Sequence, residues 1–152
     1  MPLTEFFLHP LILSDLKGKT STEVFEETVQ FLVDKQLLPP DLRKNTLDAL
    51  IAREQKLSTG IGEGLALPHA SIPGLPGSVV ILARSKEGIP YAAPDHQPVH
   101  VFFVILVPSH DYGAHLRTLA HVGKFLSRPG MKQKLKDVQE HAELQKLFKE
   151  AL

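Results

Sequence analysis

An α/β fold is predicted for this sequence, a three-layer single domain with a mixed β-sheet flanked by helices, and three observations carry that prediction. Helical patterns alternate with short β-branched runs along the chain. The run Val99-His100-Val101-Phe102-Phe103-Val104-Ile105-Leu106-Val107 is nearly all apolar and bounded by prolines, as a strand buried on both faces would be. A length of 152 residues, 43% of them hydrophobic, suits one domain with a sizeable core, spanning 1–152.

The elements follow in chain order. Residues 20–38 open with Thr20 and Glu23 at capping-box spacing and continue with Val24, Thr28, Phe31, Leu32 and Val33 at helical intervals, predicting an amphipathic helix that Pro39-Pro40 breaks. Asp41 is placed to cap a second helix, whose Leu47, Leu50 and Ile51 form an apolar stripe running to Arg53-Glu54 and stopping before Ser58. Gly60, Gly62 and Gly64 then read as a flexible turn feeding the short extended segment Leu65-Ala66-Leu67-Pro68-His69-Ala70. Ile72 to Gly77 is a proline- and glycine-rich loop, Ser78 to Arg84 a strand, and Lys86-Glu87-Gly88 another turn. After the apolar run, predicted to be the central strand, Ser109 and Asp111 are candidate N-caps for a helix over 113–127, with Leu116, Leu119, Val122 and Leu126 inward. Arg128-Pro129-Gly130 ends it. The tail, 131–151, is densely charged but carries Leu135, Val138, Leu144, Leu147 and Phe148, consistent with one or two surface helices.

Composition narrows the function. The 17 Lys and Arg cancel the 17 Asp and Glu, leaving no broad electrostatic footprint for nucleic acid or an anionic membrane surface. The absence of cysteine excludes disulfides, thiolate metal sites and Cys nucleophiles. Met1-Pro2-Leu3-Thr4-Glu5 lacks the basic flank of a signal peptide, and no apolar run approaches the ~18 residues of a membrane span, so a cytoplasmic location without direct membrane insertion is expected. Eight histidines are plentiful for this length, and histidine is the side chain that most readily titrates or reacts near neutral pH.

Arg53, the glycine-rich turn and His69 form a constellation that could hold a phosphoryl group. A neutral imidazole nitrogen is nucleophilic near pH 7, and guanidinium plus accessible backbone N–H groups can neutralise the transferred oxygens without a metal or other cofactor. Spacing by itself favours a mobile turn and an ordinary loop Pro-His pair over a phosphate site.

The longer pattern is more restrictive. Glu54 followed by Ile61-Gly62-Glu63-Gly64-Leu65-Ala66-Leu67-Pro68-His69-Ala70 resembles the phosphohistidine segment of the type-2 (mannitol/fructose-type) enzyme IIA domains of the bacterial phosphotransferase system. The likeness continues through Gly88-Ile89-Pro90-Tyr91-Ala92-Ala93-Pro94-Asp95 and His115-Leu116-Arg117-Thr118-Leu119, covering about residues 5–150. Ala70 stands where glycine is frequent in that family. The resemblance implies a phosphocarrier whose His69 accepts a phosphoryl group from the phosphorylated carrier HPr, with Arg53 holding the phosphate and His115 donating an orienting hydrogen bond. It implies two kinds of recipient, a IIB domain in sugar transport or a protein regulated by phosphorylation state. The absence of cysteine leads to the expectation that no cysteine-bearing IIB is fused to this domain, and a lone IIA is typical of the nitrogen-regulatory group, which is the version slightly favoured.

Other readings compete. His115 shares a helical face with residues 119, 122 and 126 and would pass as a core-edge histidine. His96 and His100 have an i, i+4 spacing but Pro98 between them; with His110 they are the set on which a metal-dependent hydrolase would have to be built. Ser109-His110-Asp111 contains triad residue types, yet adjacent residues cannot serve one another as a triad and are read as turn and cap. A non-phosphorylated binding module is the remaining alternative. His9, His121, His141 and the Lys132 to Lys136 alternation read as solvated surface.

Overall fold

A computed structural model describes residues 3–150. Met1, Pro2 and the last residue of the expected tail, 151, therefore lie outside the described residues. In order, the elements are α1 (Leu3–Leu8), β1 (Ile12–Leu13), α2 (Ser21–Asp34), a 3-10 turn (Pro40–Leu42), α3 (Arg43–Lys56), β2 (Gly60–Gly62), β3 (Leu65–Ala66), β4 (His69–Ile72), β5 (Val79–Ile89), β6 (Val99–Pro108), α4 (Tyr112–Leu126), α5 (Met131–Asp137) and α6 (His141–Lys149).

The apolar run is the central strand. β6 pairs antiparallel with β5 along one edge, while its other edge takes β3 and then β4, both parallel. With β1 parallel to β5 and β2 antiparallel to β3, the six strands make a mixed sheet. The period-2 alternation of β5 and β6 divides the core between the faces. Ile81, Ala83, Phe102, Val104 and Leu106 meet Val24, Phe25, Val29 and Leu32 of α2 and Leu50 of α3. Val80, Leu82, Phe103, Ile105 and Val107 meet Phe6 and Phe7 of α1, Val122 and Phe125 of α4, and Phe148 of α6. Three layers result, as expected.

Local departures have local causes. Thr20 Oγ1 accepts from Glu23 N at 3.2 Å, but the Glu23 carboxylate accepts from Lys19 N rather than closing the box on Thr20. α2 stops at Asp34, well before Pro39, because Gln36 turns into the left-handed region at φ 60°. Asp41 does not cap α3; it lies inside the 3-10 turn, and Leu42 precedes the helix without a side-chain cap. The predicted turn at Lys86-Glu87-Gly88 is absorbed into β5 as an irregularity, where Gly88 takes φ 85° and the register with β6 shifts between Arg84 and Ile89. A Cβ at Gly88 would come within 3.0 Å of Pro98 and the His100 ring. Leu116, expected to face inward, is 51% exposed, and Phe125 joins Val122 and Leu126 inside in its place.

Candidate phosphoryl-transfer site

His69, the first residue of β4, lies opposite Ile105 of the central strand, with Ile105 N donating to Pro68 O at 2.9 Å. The expected flexible glycine turn leading to it is instead a small hairpin, β2 against β3. It turns through left-handed Gly62, Glu63 and Gly64, and Glu63 N donates to the Asp95 carboxylate at 2.8 Å. That bond and one from Gln97 N hold the Asp95 carboxyl below its usual range. Gly60 N likewise donates to Ser58 Oγ at 3.1 Å, so these N–H groups hold the hairpin together instead of forming an open cradle.

The His69 ring is fixed from below. Its Nδ1 lies 2.8 Å from Leu67 O, and since a carbonyl only accepts, Nδ1 carries the hydrogen. In the neutral ring the lone pair is then on Nε2. Across from it stands His115, in the first turn of α4, with ring centroids 5.2 Å apart and planes at 50°. Arg53, in the last turn of α3, donates from Nη1 to Leu57 O at 2.7 Å. Burial, then the His69 ring, then the Arg53 guanidinium hold the proton affinity of His115 below the ordinary histidine value. The three residues singled out from the sequence, contributed by β4, α4 and α3, therefore share one electrostatic environment.

One supporting network was not legible as such. Glu54, beside Arg53, accepts from Thr59 N and Thr59 Oγ1 at 2.7 and 2.6 Å, and from the Tyr91 hydroxyl. Burial and the Glu54 carboxylate push the Tyr91 hydroxyl well above the normal tyrosine range. Thr59 O in turn accepts from Leu67 N at 3.0 Å, so the carbonyl that orients His69 is tied to the end of α3. The acidic residue opening the Glu54 to Ala70 pattern and the Tyr91 segment were the available signals.

The other histidines do not converge. His96, left-handed at φ 56°, sits in the loop before β6, while His100 Nδ1 is spent on Ser85 O at 3.0 Å. No group of three or more His, Asp or Glu side chains is gathered for a metal among the described residues. Asp111 N bonds to Pro108 O and His115 N to Asp111 O, the turn-and-cap role expected of the Ser109 to Asp111 stretch. His9, His121 and His141 are exposed. Lys132 and Lys136 are not the solvated pair expected, for both are half-buried and Lys132 Nζ bonds Glu63 of the hairpin at 2.6 Å.

Comparison with known proteins identifies the family. Residues 5–151 match the family model described as phosphoenolpyruvate-dependent sugar phosphotransferase system, EIIA 2. The chain belongs to the type-2 enzyme IIA family. Its members include a fructose-specific EIIA component of Haloferax volcanii, 32% identical over 145 residues that make up 94% of this chain and 93% of that one. The fructose-specific EIIABC component of Bacillus subtilis is 33% identical over 89% of this chain, which spans 21% of that longer protein. Among solved structures, the nitrogen regulatory protein IIA-Ntr of Neisseria meningitidis superposes with TM-score 0.81 at 28% identity, covering 96% of this chain and 98% of its own. The enzyme IIA fold is thus shared by sugar-specific and nitrogen-regulatory relatives. In this member no helix of the described residues is long and apolar enough to cross a membrane.

Proposed function

We propose that this chain, acting as one domain over residues 1–152 in the cytoplasm, is a phosphocarrier that takes a phosphoryl group onto Nε2 of His69 from a phosphohistidine of an HPr-type carrier. The observation that carries the reading is the Nδ1–H of His69 donated to Leu67 O, which leaves Nε2 as the nucleophile of a ring whose centroid is 5.2 Å from that of His115. As the new P–N bond forms, the P–N bond of the donor breaks and its imidazole leaves neutral, while the phosphorylated ring keeps its Nδ1 hydrogen on the carbonyl. Arg53 stabilises the equatorial oxygens, and His115 donates a hydrogen bond that orients the group.

The test is intact-protein mass after incubation with phosphoenolpyruvate, enzyme I and HPr, followed by brief acid treatment. One acid-labile adduct, absent from His69→Ala, is expected. An adduct that survives that substitution would place the chemistry on another residue.

The recipient separates two versions. Likeness to IIA-Ntr along nearly all of both chains supports a regulatory protein whose phosphorylation state controls a partner. Likeness to the Haloferax fructose-specific component supports donation to a IIB domain. Loss of the adduct on mixing with a separate IIB, with a phosphoryl group appearing on that protein, selects the second; retention of the adduct across such domains selects the first.

A further inference from the structure

Away from His69, a cavity of about 490 Å³ opens at the start of the central strand, four residues along β6 from the position paired with His69. β5 supplies Arg84, Ser85 and Lys86 to its wall, β6 supplies His100, and α5 supplies Gln133 and Lys136. Its charge is unusual. Arg84 is 9% exposed, yet its guanidinium meets no carboxylate; Nη1 is donated to the main-chain carbonyls of Leu135 and Val138, and Nε has no acceptor among the described residues. Buried cations are normally paired.

Lys86 and Lys136 also lack an ion pair among the described residues. The one acid in the wall, Asp137, is already bonded by Gln133 Nε2 at 2.8 and 2.9 Å, and Asp15, within electrostatic reach of Lys86, is held by Lys17 at 2.6 Å. Three cations, one of them buried, therefore surround a space the size of a small-metabolite site against a single carboxylate, Asp137, which leaves the wall with an excess of positive charge. Both glutamine amides donate to Asp137, and Ser85 Oγ accepts from Gly88 N, which leaves the serine hydroxyl hydrogens as donors and the glutamine side-chain oxygens as acceptors of the kind that hold hydroxyl groups.

We propose that this cavity binds a small hydroxylated phosphate monoester, at a site separate from His69. The phosphate lies among Arg84, Lys86 and Lys136, and the ester's hydroxyl groups meet the serine and glutamine side chains. The site is not isolated from the carrier histidine. Gly64 O accepts from His100 N and Val101 N at 2.8 and 3.1 Å, and the Lys136 stem lies against Gly64, so the hairpin that leads to His69 packs directly on residues of that wall. An anion that fixes Lys136 and His100 therefore also braces the hairpin.

The experiment is a titration of the isotopically labelled full chain with glycerol 3-phosphate at physiological salt, followed by amide NMR, with glycerol and inorganic phosphate as comparison probes. Saturable shifts at Ser85, Lys86, His100 and Lys136 are expected at millimolar concentration or below, with no response to glycerol and weaker binding of inorganic phosphate. Lys136→Gln should weaken binding about tenfold by removing a charged hydrogen bond, while leaving the acid-labile adduct on His69 intact. Absence of saturable shifts, shifts confined to His69 and His115, or affinity unchanged in Lys136→Gln would each overturn the site. Inorganic phosphate binding as tightly as the ester would overturn the recognition of hydroxyl groups.

Discussion

Replacing Arg53 by alanine removes the guanidinium whose charge bears on His115, and a charged hydrogen bond of the kind it would make to a phosphoryl group contributes about 1.5–3 kcal/mol. Phosphoryl uptake should slow roughly tenfold to a hundredfold in a quench-flow measurement, and Arg53→Lys should restore little, since an ammonium cannot present the planar fork of a guanidinium. His115 gives a pH signature. Its proton affinity in the folded chain lies below the unfolded value of 6.5, so as pH falls the unfolded chain binds the proton first. The stability associated with the neutral ring is present above that value and is lost as pH drops through it towards the lower folded value. Urea midpoints followed from about pH 7.5 to pH 5 should fall in the parent protein and fall less steeply in His115→Gln. Both histidines and Arg53 were legible as residue types within a pattern. Their juxtaposition was implied only by the family resemblance, because it depends on β4 docking parallel to β6, and neither spacing nor composition states a strand pairing.

The hairpin and the end of α3 act as one element. Tyr91→Phe keeps the ring against Phe102, whose centroid is 5.7 Å away, but takes one donor from the Glu54 carboxylate. A cost of about 1–2 kcal/mol is expected from denaturant unfolding, together with slower phosphoryl uptake as the Leu67 carbonyl loses its support. A rate equal to that of the parent would show that Thr59 alone holds the turn. Gly60 is constrained by a neighbour, for a Cβ there would lie 2.9 Å from that of Ala93, and Gly60→Ala should push the hairpin off the segment that carries Tyr91. Helices with strong apolar periodicity, such as α2, were readable to within a few residues at their ends. In the hairpin, Leu65-Ala66 was readable as extended chain, but β2 and its pairing with β3 were not, because so short a run has no period and its pairing is set by left-handed turns at Gly62, Glu63 and Gly64. The continuation of β5 through Lys86 to Gly88 was hidden for a related reason: charge and glycine imitate a turn when an irregular strand accommodates both.

Across the whole molecule, the faces of the sheet are sealed by different kinds of side chain. Aliphatic residues of α2 and α3 dominate one face, whereas the other is built on an aromatic group in which Phe148 lies 5.1 Å from Phe6 and 5.2 Å from Phe125. Phe148→Ala should cost about 3–5 kcal/mol by opening a cavity among these rings, measured as a lowered denaturant midpoint, while Arg53, His69 and His115, which belong to other elements, keep their arrangement in the fraction that remains folded. The layer order was legible from the alternation of helices with strands and from the one apolar run, since these report burial directly. Which helix covers which face was not, because an amphipathic stripe says that a helix must pack and leaves its partner open. The meeting of Phe6 with Phe148 has a consequence for synthesis. The ribosome makes α1 first among these elements and α6 last, so the early helix waits for its Phe148 contact until every intervening element has been translated. Until α6 emerges, Phe6 and Phe7 are a sticky segment on the nascent chain, and the time a chaperone would shield it is set by the distance to Phe148 along the message.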